Sequence, residues 1–267
     1  MNGSPMASPE PVLLDMASNG VATISLNSPE TRNAFSAELM AGLLDALVSA
    51  GRNGSVGCVV LTSTHPSVFS AGGNLRRFAG SESLVQQHLA NTGFPQLVET
   101  IGLLRVPVIC ALNGHALAGA LGLMLACDLV IAKAGARVGT PEINVGVFPF
   151  MISALMQRNM PRKRLAEMVF LGEQMSAEEA RDAGFVNLVV PEEAFQETVK
   201  SWAEKIARKS PLMLRLGKQA LFQQQDLPLR EAVAFLQHFL TLALSTEDVK
   251  EGVAAFREKR EPVWKGR

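Results

Sequence analysis

Apolar positions along this chain follow two rhythms, and the alternation between them predicts the architecture. Val12 to Met16 and Val21 to Leu26 are short β-like runs around Asn19-Gly20, a dipeptide that accepts the positive φ angles of a tight turn. They predict a hairpin. After the loop Asn27 to Asn33, apolar Leu39, Met40, Leu43, Leu44, Leu47 and Val48 recur at helical spacing, with Ser36 placed as a cap. Cys58 to Thr62 then reads as a buried strand, Val106 to Leu112 as another and Asp128 to Ala132 as a third.

Between these strands lie a polar, glycine-bearing loop (Ser63 to Asn74) and a helical region with apolar Leu89, Leu97, Val98, Ile101 and Leu104. Asn113-Gly114 breaks the chain before a small-residue helix over Gly119 to Ala126. Alternating strands and helices predict an α/β fold with a parallel sheet. From Phe150 onward the pattern is helical, interrupted only by Phe185 to Val190. Ser176 and Glu179 form an S-x-x-E capping box, and Ser210-Pro211 and Leu227-Pro228 stop later helices. The expected organisation is a flexible tail over 1–10, a core over 11–200 and a helical region over 201–267, with a soft boundary near 200.

Composition narrows the function more than the fold. A chain of 267 residues, 48% hydrophobic and 19% charged, can bury a large core. Lys and Arg together number 25, and so do Asp and Glu, so no global field favours nucleic acid or an anionic membrane. An anionic ligand has to be caught locally, and neither class of partner is expected. Cys58, Cys110 and Cys127 lie in apolar runs without metal-ligand spacing, which predicts buried thiols, a reducing cytoplasmic compartment and no metal. The opening MNGSPMASPE lacks the apolar core of a signal peptide.

Two loops carry candidate chemistry. In Phe69-Ser70-Ala71-Gly72-Gly73-Asn74-Leu75 small residues follow a strand, so a ligand can reach the main chain and consecutive glycines can offer N–H groups to an anion. In Ala111 to Gly122 the chain passes through a turn into a helix, whose free N–H groups near Gly119 lie at the positive end of its dipole. One N–H from each loop would make an oxyanion hole. Taken without further context, the first of the two is also compatible with a structural glycine loop.

At these residues the chain resembles the enoyl-CoA hydratase/isomerase, or crotonase, family. LNSPETRNAF (Leu26 to Phe35), FSAGGNL, NGHALAGALGLMLACDLVIA, SAEEARDAG and STEDVKEGVAAFREKREPVW match its motifs in order over almost the whole chain. The resemblance implies a crotonase-like spiral of ββα units followed by helices that build homotrimers or dimers of trimers. It implies an acyl-CoA substrate and no separate cofactor, coenzyme A being part of the substrate. Motif by motif, the two oxyanion amides fall on Gly73 and Gly119. Ala71, Gly72, Asn74 and Leu75 would line the CoA channel, with the Ala71 carbonyl meeting the adenine amino group. Arg32 is either a phosphate contact or a solvated loop arginine.

The resemblance also assigns the acid/base. Glu142, in Thr140-Pro141-Glu142-Ile143, stands where the family's hydratases and isomerases carry a catalytic glutamate. The first of the two hydratase glutamates would fall on Gly122, which can hold no proton. A single carboxylate matches Δ3,Δ2-enoyl-CoA isomerisation, while similarity to enoyl-CoA hydratases keeps 2-enoyl-CoA hydration open. A decarboxylase of the same family and an acyl-CoA-binding pseudo-enzyme are the alternatives. The chain contains no tyrosine, so members that use a phenol are poor models, and Phe150 stands where dienoyl isomerases carry an aspartate. Phe148, Phe150 and Met151 are read either as a reshaped acyl pocket or as packing under a helix start. His115 and His238 are read as structural.

Overall fold

The computed structural model describes residues 10–73 and 83–267. Its hairpin forms where the pattern predicts, β1 (Val12–Met16) pairing antiparallel with β2 (Val21–Leu26) and Gly20 turning the chain at φ 82°. β2 then pairs parallel with β3 (Cys58–Ser63), followed across the sheet by β5 (Val108–Leu112), β7 (Leu129–Lys133) and β10 (Leu188–Val190), all parallel. Every residue of β5 is buried, as befits a central parallel strand covered on both faces.

Alternation along β3 explains the two layers. Val59 and Leu61 point to a large core built with α1 (Ala37–Arg52) and α3 (Gly93–Leu103). Cys58 and Val60 point to the other face, where Phe195, Val199 and Ala203 of α8 (Glu192–Ala207) cover them. That helix runs across residue 200 and packs on the sheet, so residues 201–207 continue an element of the core.

Four three-residue strands form a second sheet: β4 (Val68–Ser70), β6 (His115–Leu117) and β8 (Arg137–Gly139) in parallel, with β9 (Gln174–Ser176) antiparallel at the edge. The sequence pattern predicts none of them. β4 interrupts the expected loop Ser63 to Asn74, and β9 is a second interruption of the helical region after Phe150. Three residues are too few to carry a period-two signal.

The helical region ending at Leu104 is two helices, α2 (Leu84–Ala90) and α3. Pro95 lacks an N–H and fits only the first turn, so one helix cannot run through it. α4 (Gly119–Ala126) is buried around most of its circumference, which is why it shows no amphipathic stripe. After it come α5 (Phe150–Asn159), α6 (Arg162–Leu171) and α7 (Ala177–Asp182). The capping box forms as expected: Ser176 Oγ accepts from Glu179 N at 3.1 Å, and Glu179 Oε2 accepts from Ser176 N at 2.8 Å. α9 (Pro211–Gln224), α10 (Leu229–Ser245) and α11 (Glu247–Glu258) complete the chain. No described helix is long and apolar enough to cross a membrane.

Candidate active site

Because β4, β6 and β8 run parallel, the chain leaves all three at one edge of the small sheet. Gly73 follows the end of β4, Gly119 follows β6 and Glu142 follows β8. The carboxyl edge of a parallel sheet is where α/β folds place ligands. Three candidates from distant parts of the sequence are therefore gathered by topology.

The glycine loop is held by residues that sequence reasoning did not single out. Ser70 Oγ donates to Asn33 O at 2.7 Å and accepts from Gly72 N at 3.0 Å. Ala71 N donates to Arg32 O at 2.9 Å, and Phe35 N to Gly72 O at 2.8 Å. Asn33, fully buried at φ 52°, donates from Nδ2 to Ser63 Oγ at 2.7 Å and to Phe69 O at 3.0 Å, and accepts from Ser28 N. Asparagine tolerates this left-handed conformation better than most residues, and that was the one signal available in LNSPETRNAF. Gly72 has φ 77°, and a Cβ there would lie 2.7 Å from Gly119 N. Only glycine lets the two loops approach this closely.

On the other loop Ala118 adopts φ 54° and ψ −128°, a region that costs a non-glycine residue about 1–3 kcal/mol. Its N–H donates to Gly139 O at 2.8 Å, which ties the strained residue to β8. The peptide that follows presents Gly119 N, the first nitrogen of α4, where no intrahelical acceptor exists. A Cβ on Gly119 would stand 3.6 Å from Gly73 N and 3.1 Å from Phe35 Cε2. The Gly73 and Gly119 amides thus lie near one another, with the Phe35 ring beside Gly119, and neither amide meets an acceptor among the described residues. Such a pair can bind one oxygen and stabilise negative charge on it.

Glu142 occupies a 3-10 turn, Pro141–Val145, closed by Gly146 at φ 78°. Its carboxylate is half-buried, and Oε2 is buried with no hydrogen-bond partner among the described residues. Burial pushes its pKa above the ordinary carboxylate value, opposed only by a hydrogen bond from its own backbone. A proton-exchanging group needs this kind of environment. Arg32 ends the Pro29–Thr31 turn at φ 55° with an exposed side chain, and its link to the site is the backbone bond to Ala71. Asn74 and Leu75 lie outside the described residues.

Over residues 16–267 the chain matches the profile of the enoyl-CoA hydratase/isomerase family. The chain belongs to that family. It is 36% identical over 248 residues to the 2,3-dehydroadipyl-CoA hydratase of Escherichia coli K12, spanning 92% of this chain and 96% of the relative. It is 32% identical to the (E)-benzylidenesuccinyl-CoA hydratase of Thauera aromatica, spanning 96% and 99%. The crystal structure of an enoyl-CoA hydratase from Mycobacterium smegmatis superposes with a TM-score of 0.91 at 31% identity, covering 95% of this chain and 98% of that one. The crotonase fold expected from the motifs is therefore the fold observed.

Against the family pattern, position 122 is informative. A Cβ on Gly122 would lie 2.5 Å from Ile152 Cγ2 and 2.7 Å from Phe94 Cζ. Both side chains are buried. Two apolar groups, from α5 and α3, fill the space a carboxylate stem at this position would need. Phe148 packs on the core with its ring 5.1 Å from Phe150 and 6.3 Å from Phe170, and the latter two are exposed. His115 accepts from Arg137 N at Nδ1 (3.0 Å), a structural contact, whereas His238 is exposed on α10. Cys58 and Cys110 are buried and Cys127 is half-buried, and burial pushes the Cys58 thiol up to about 12.

Proposed function

We propose that this family member acts on an enoyl-CoA thioester, with the Gly73 and Gly119 amides holding the thioester oxygen and Glu142 as the single acid/base. One observation carries the reading. A buried carboxylate oxygen without a partner among the described residues stands at the sheet edge that also holds the two amides, while Ile152 and Phe94 occupy the position of a second carboxylate. In this mechanism Glu142 removes a proton from C2 of a 3-enoyl-CoA, and the electron pair moves into the thioester as a dienolate. Gly73 N and Gly119 N take up the oxygen's charge, each donor contributing on the order of 3 kcal/mol. Glu142 returns the proton at C4, and the double bond ends between C2 and C3. No atom is gained or lost, and no second acid is required.

Hydration of a 2-enoyl-CoA is the second reading. It is favoured by relatives named as hydratases of unsaturated acyl-CoA thioesters. It needs a positioned water, which the apolar pair beside Gly122 does nothing to hold. For the coenzyme, we assign Ala71, Gly72, Asn74 and Leu75 to the CoA channel and Arg32 to its phosphates. Three free cysteines fit a cytoplasmic setting. Exposed Leu229, Val233, Leu240 and Leu244 form one stripe along α10, which we assign to trimer contacts.

Separate incubation with a 3-enoyl-CoA and a 2-enoyl-CoA, with products identified by mass and chromatography, tests the reaction. Isomerisation without change of mass is expected. Water addition to the 2-enoyl-CoA alone selects hydration, and tight binding without turnover selects an acyl-CoA-binding pseudo-enzyme. Loss of carbon dioxide from a malonyl- or glutaconyl-type thioester selects decarboxylation.

A further inference from the structure

Among the described residues no side chain or distant backbone group bonds to Glu142 Oε2, and the group that lowers the pKa of this carboxyl is its own backbone. Its position therefore follows the turn Pro141–Val145, and whatever fixes the turn fixes the carboxylate. Both ends of that turn reach the C-terminal end of α6. Before it, buried Thr140 points Oγ1 at Met168 O at 3.4 Å. Within it, Asn144 Nδ2 donates to Gly172 O at 3.2 Å. Gly172 ends α6 in the left-handed conformation, φ 65°, with its N–H donating to Met168 O at 3.1 Å. A Cβ on Gly172 would lie 2.6 Å from Ile143 Cγ2 and 2.7 Å from Asn144 Nδ2. The turn is thus seated directly on the glycine that caps the helix.

We infer that Asn144 and Gly172 form a latch that positions the Glu142 carboxylate, a role that rests on Glu142 being the acid/base. The carbonyls at the end of α6 need donors, since a helix terminus leaves them without intrahelical partners. Thr140 Oγ1 meets one such carbonyl, Met168 O, and Asn144, two places beyond Glu142, donates to the carbonyl of the capping Gly172. The glycine that finishes the helix therefore also anchors the turn. Asn144 is a positioning residue: it acts on the substrate through Glu142.

The test compares Asn144→Ala and the near-isosteric Asn144→Asp, which keeps the shape but loses the amide donor, with the unaltered protein. Turnover of enoyl-CoA is expected to fall about tenfold or more in kcat in both, with KM and acyl-CoA binding little changed, since displacement of a reacting group by a fraction of an ångström has this effect. Gly172→Ala, which forces the turn away, is expected to act in the same direction. A readout free of turnover is the titration of Glu142 followed by carboxyl 13C NMR, its signal assigned by loss in Glu142→Gln. In Asn144→Ala its midpoint should move toward the ordinary glutamate value as water reaches the released carboxyl. Unchanged kcat together with an unchanged Glu142 titration overturns the latch, even if the melting temperature falls. Absence of turnover in the unaltered protein overturns the reaction proposed above, and the NMR titration then decides the latch alone.

Discussion

Glu142 gives up part of its solvation in the folded chain. Burial raises its pKa, so the folded protein holds this proton more tightly than the unfolded chain does. The contribution to stability is then fully present below the ordinary glutamate pKa and is lost as pH rises through the raised one. Glu142→Gln, which removes the buried charge, should raise the melting temperature at neutral pH and have little effect in acid, as calorimetry across pH would reveal. The same substitution should lower turnover by about 10²–10⁴-fold while acyl-CoA affinity stays within a few-fold. Gly72 poses the opposite case, in which stability and site are coupled. Gly72→Ala would carry a strained positive φ and drive a methyl toward Gly119 N. A destabilisation of about 3 kcal/mol is expected in urea unfolding, with impaired turnover in whatever fraction remains folded.

Elements are held in place by a few buried polar contacts that hydropathy does not reveal. Lys218 of α9 is nearly fully buried, and its Nζ donates to Asp128 Oδ2 at 2.6 Å and to Val106 O at 3.1 Å. Asp128 Oδ2 also accepts from Val108 N, so one carboxylate joins the start of β5 to the helical region. Lys218→Met would fill the space but strand Asp128 and a carbonyl, at a cost of about 3 kcal/mol by chemical denaturation. In the same way Asp248 of α11 accepts from Lys265 N and Gly266 N and from Ser210 Oγ, pinning the end of the chain beside the start of α9. These ties explain how a region of amphipathic helices is fixed against the core at defined points.

At the scale of the whole molecule, exposed apolar side chains of the helical region line up on one helix. The stripe Leu229, Val233, Leu240 and Leu244 lies on one face of α10, and Phe256 of α11 is also exposed. Isolated exposed leucines are ordinary, but a stripe of four on one helix face has an association surface as its natural use. Light scattering of the unaltered chain should give three or six chain masses, and Val233→Glu combined with Leu240→Glu should shift it toward one. A single chain mass for the unaltered protein would remove the trimer from the proposal.

The alternating α/β order, the hairpin, the caps at Ser36 and Ser176, the family and the candidate residues at 73, 119 and 142 are all legible in the sequence. Each of these is written locally, in periodicity, turn chemistry or contiguous motifs, and needs no knowledge of distant neighbours. How those residues meet depends on the folded chain. The small sheet of three-residue strands, too short to leave a rhythm, is what gathers Gly73, Gly119 and Glu142 at one edge. Asn33, Phe35 and Ser70 gain their roles only through contacts across the loops, as do Asn144 and Gly172 across the turn. Gly122 shows the division most clearly. Its sequence records a missing carboxylate, but only the packing of Ile152 and Phe94 reveals that the space is filled by apolar groups, because volume is shared among residues far apart in the chain.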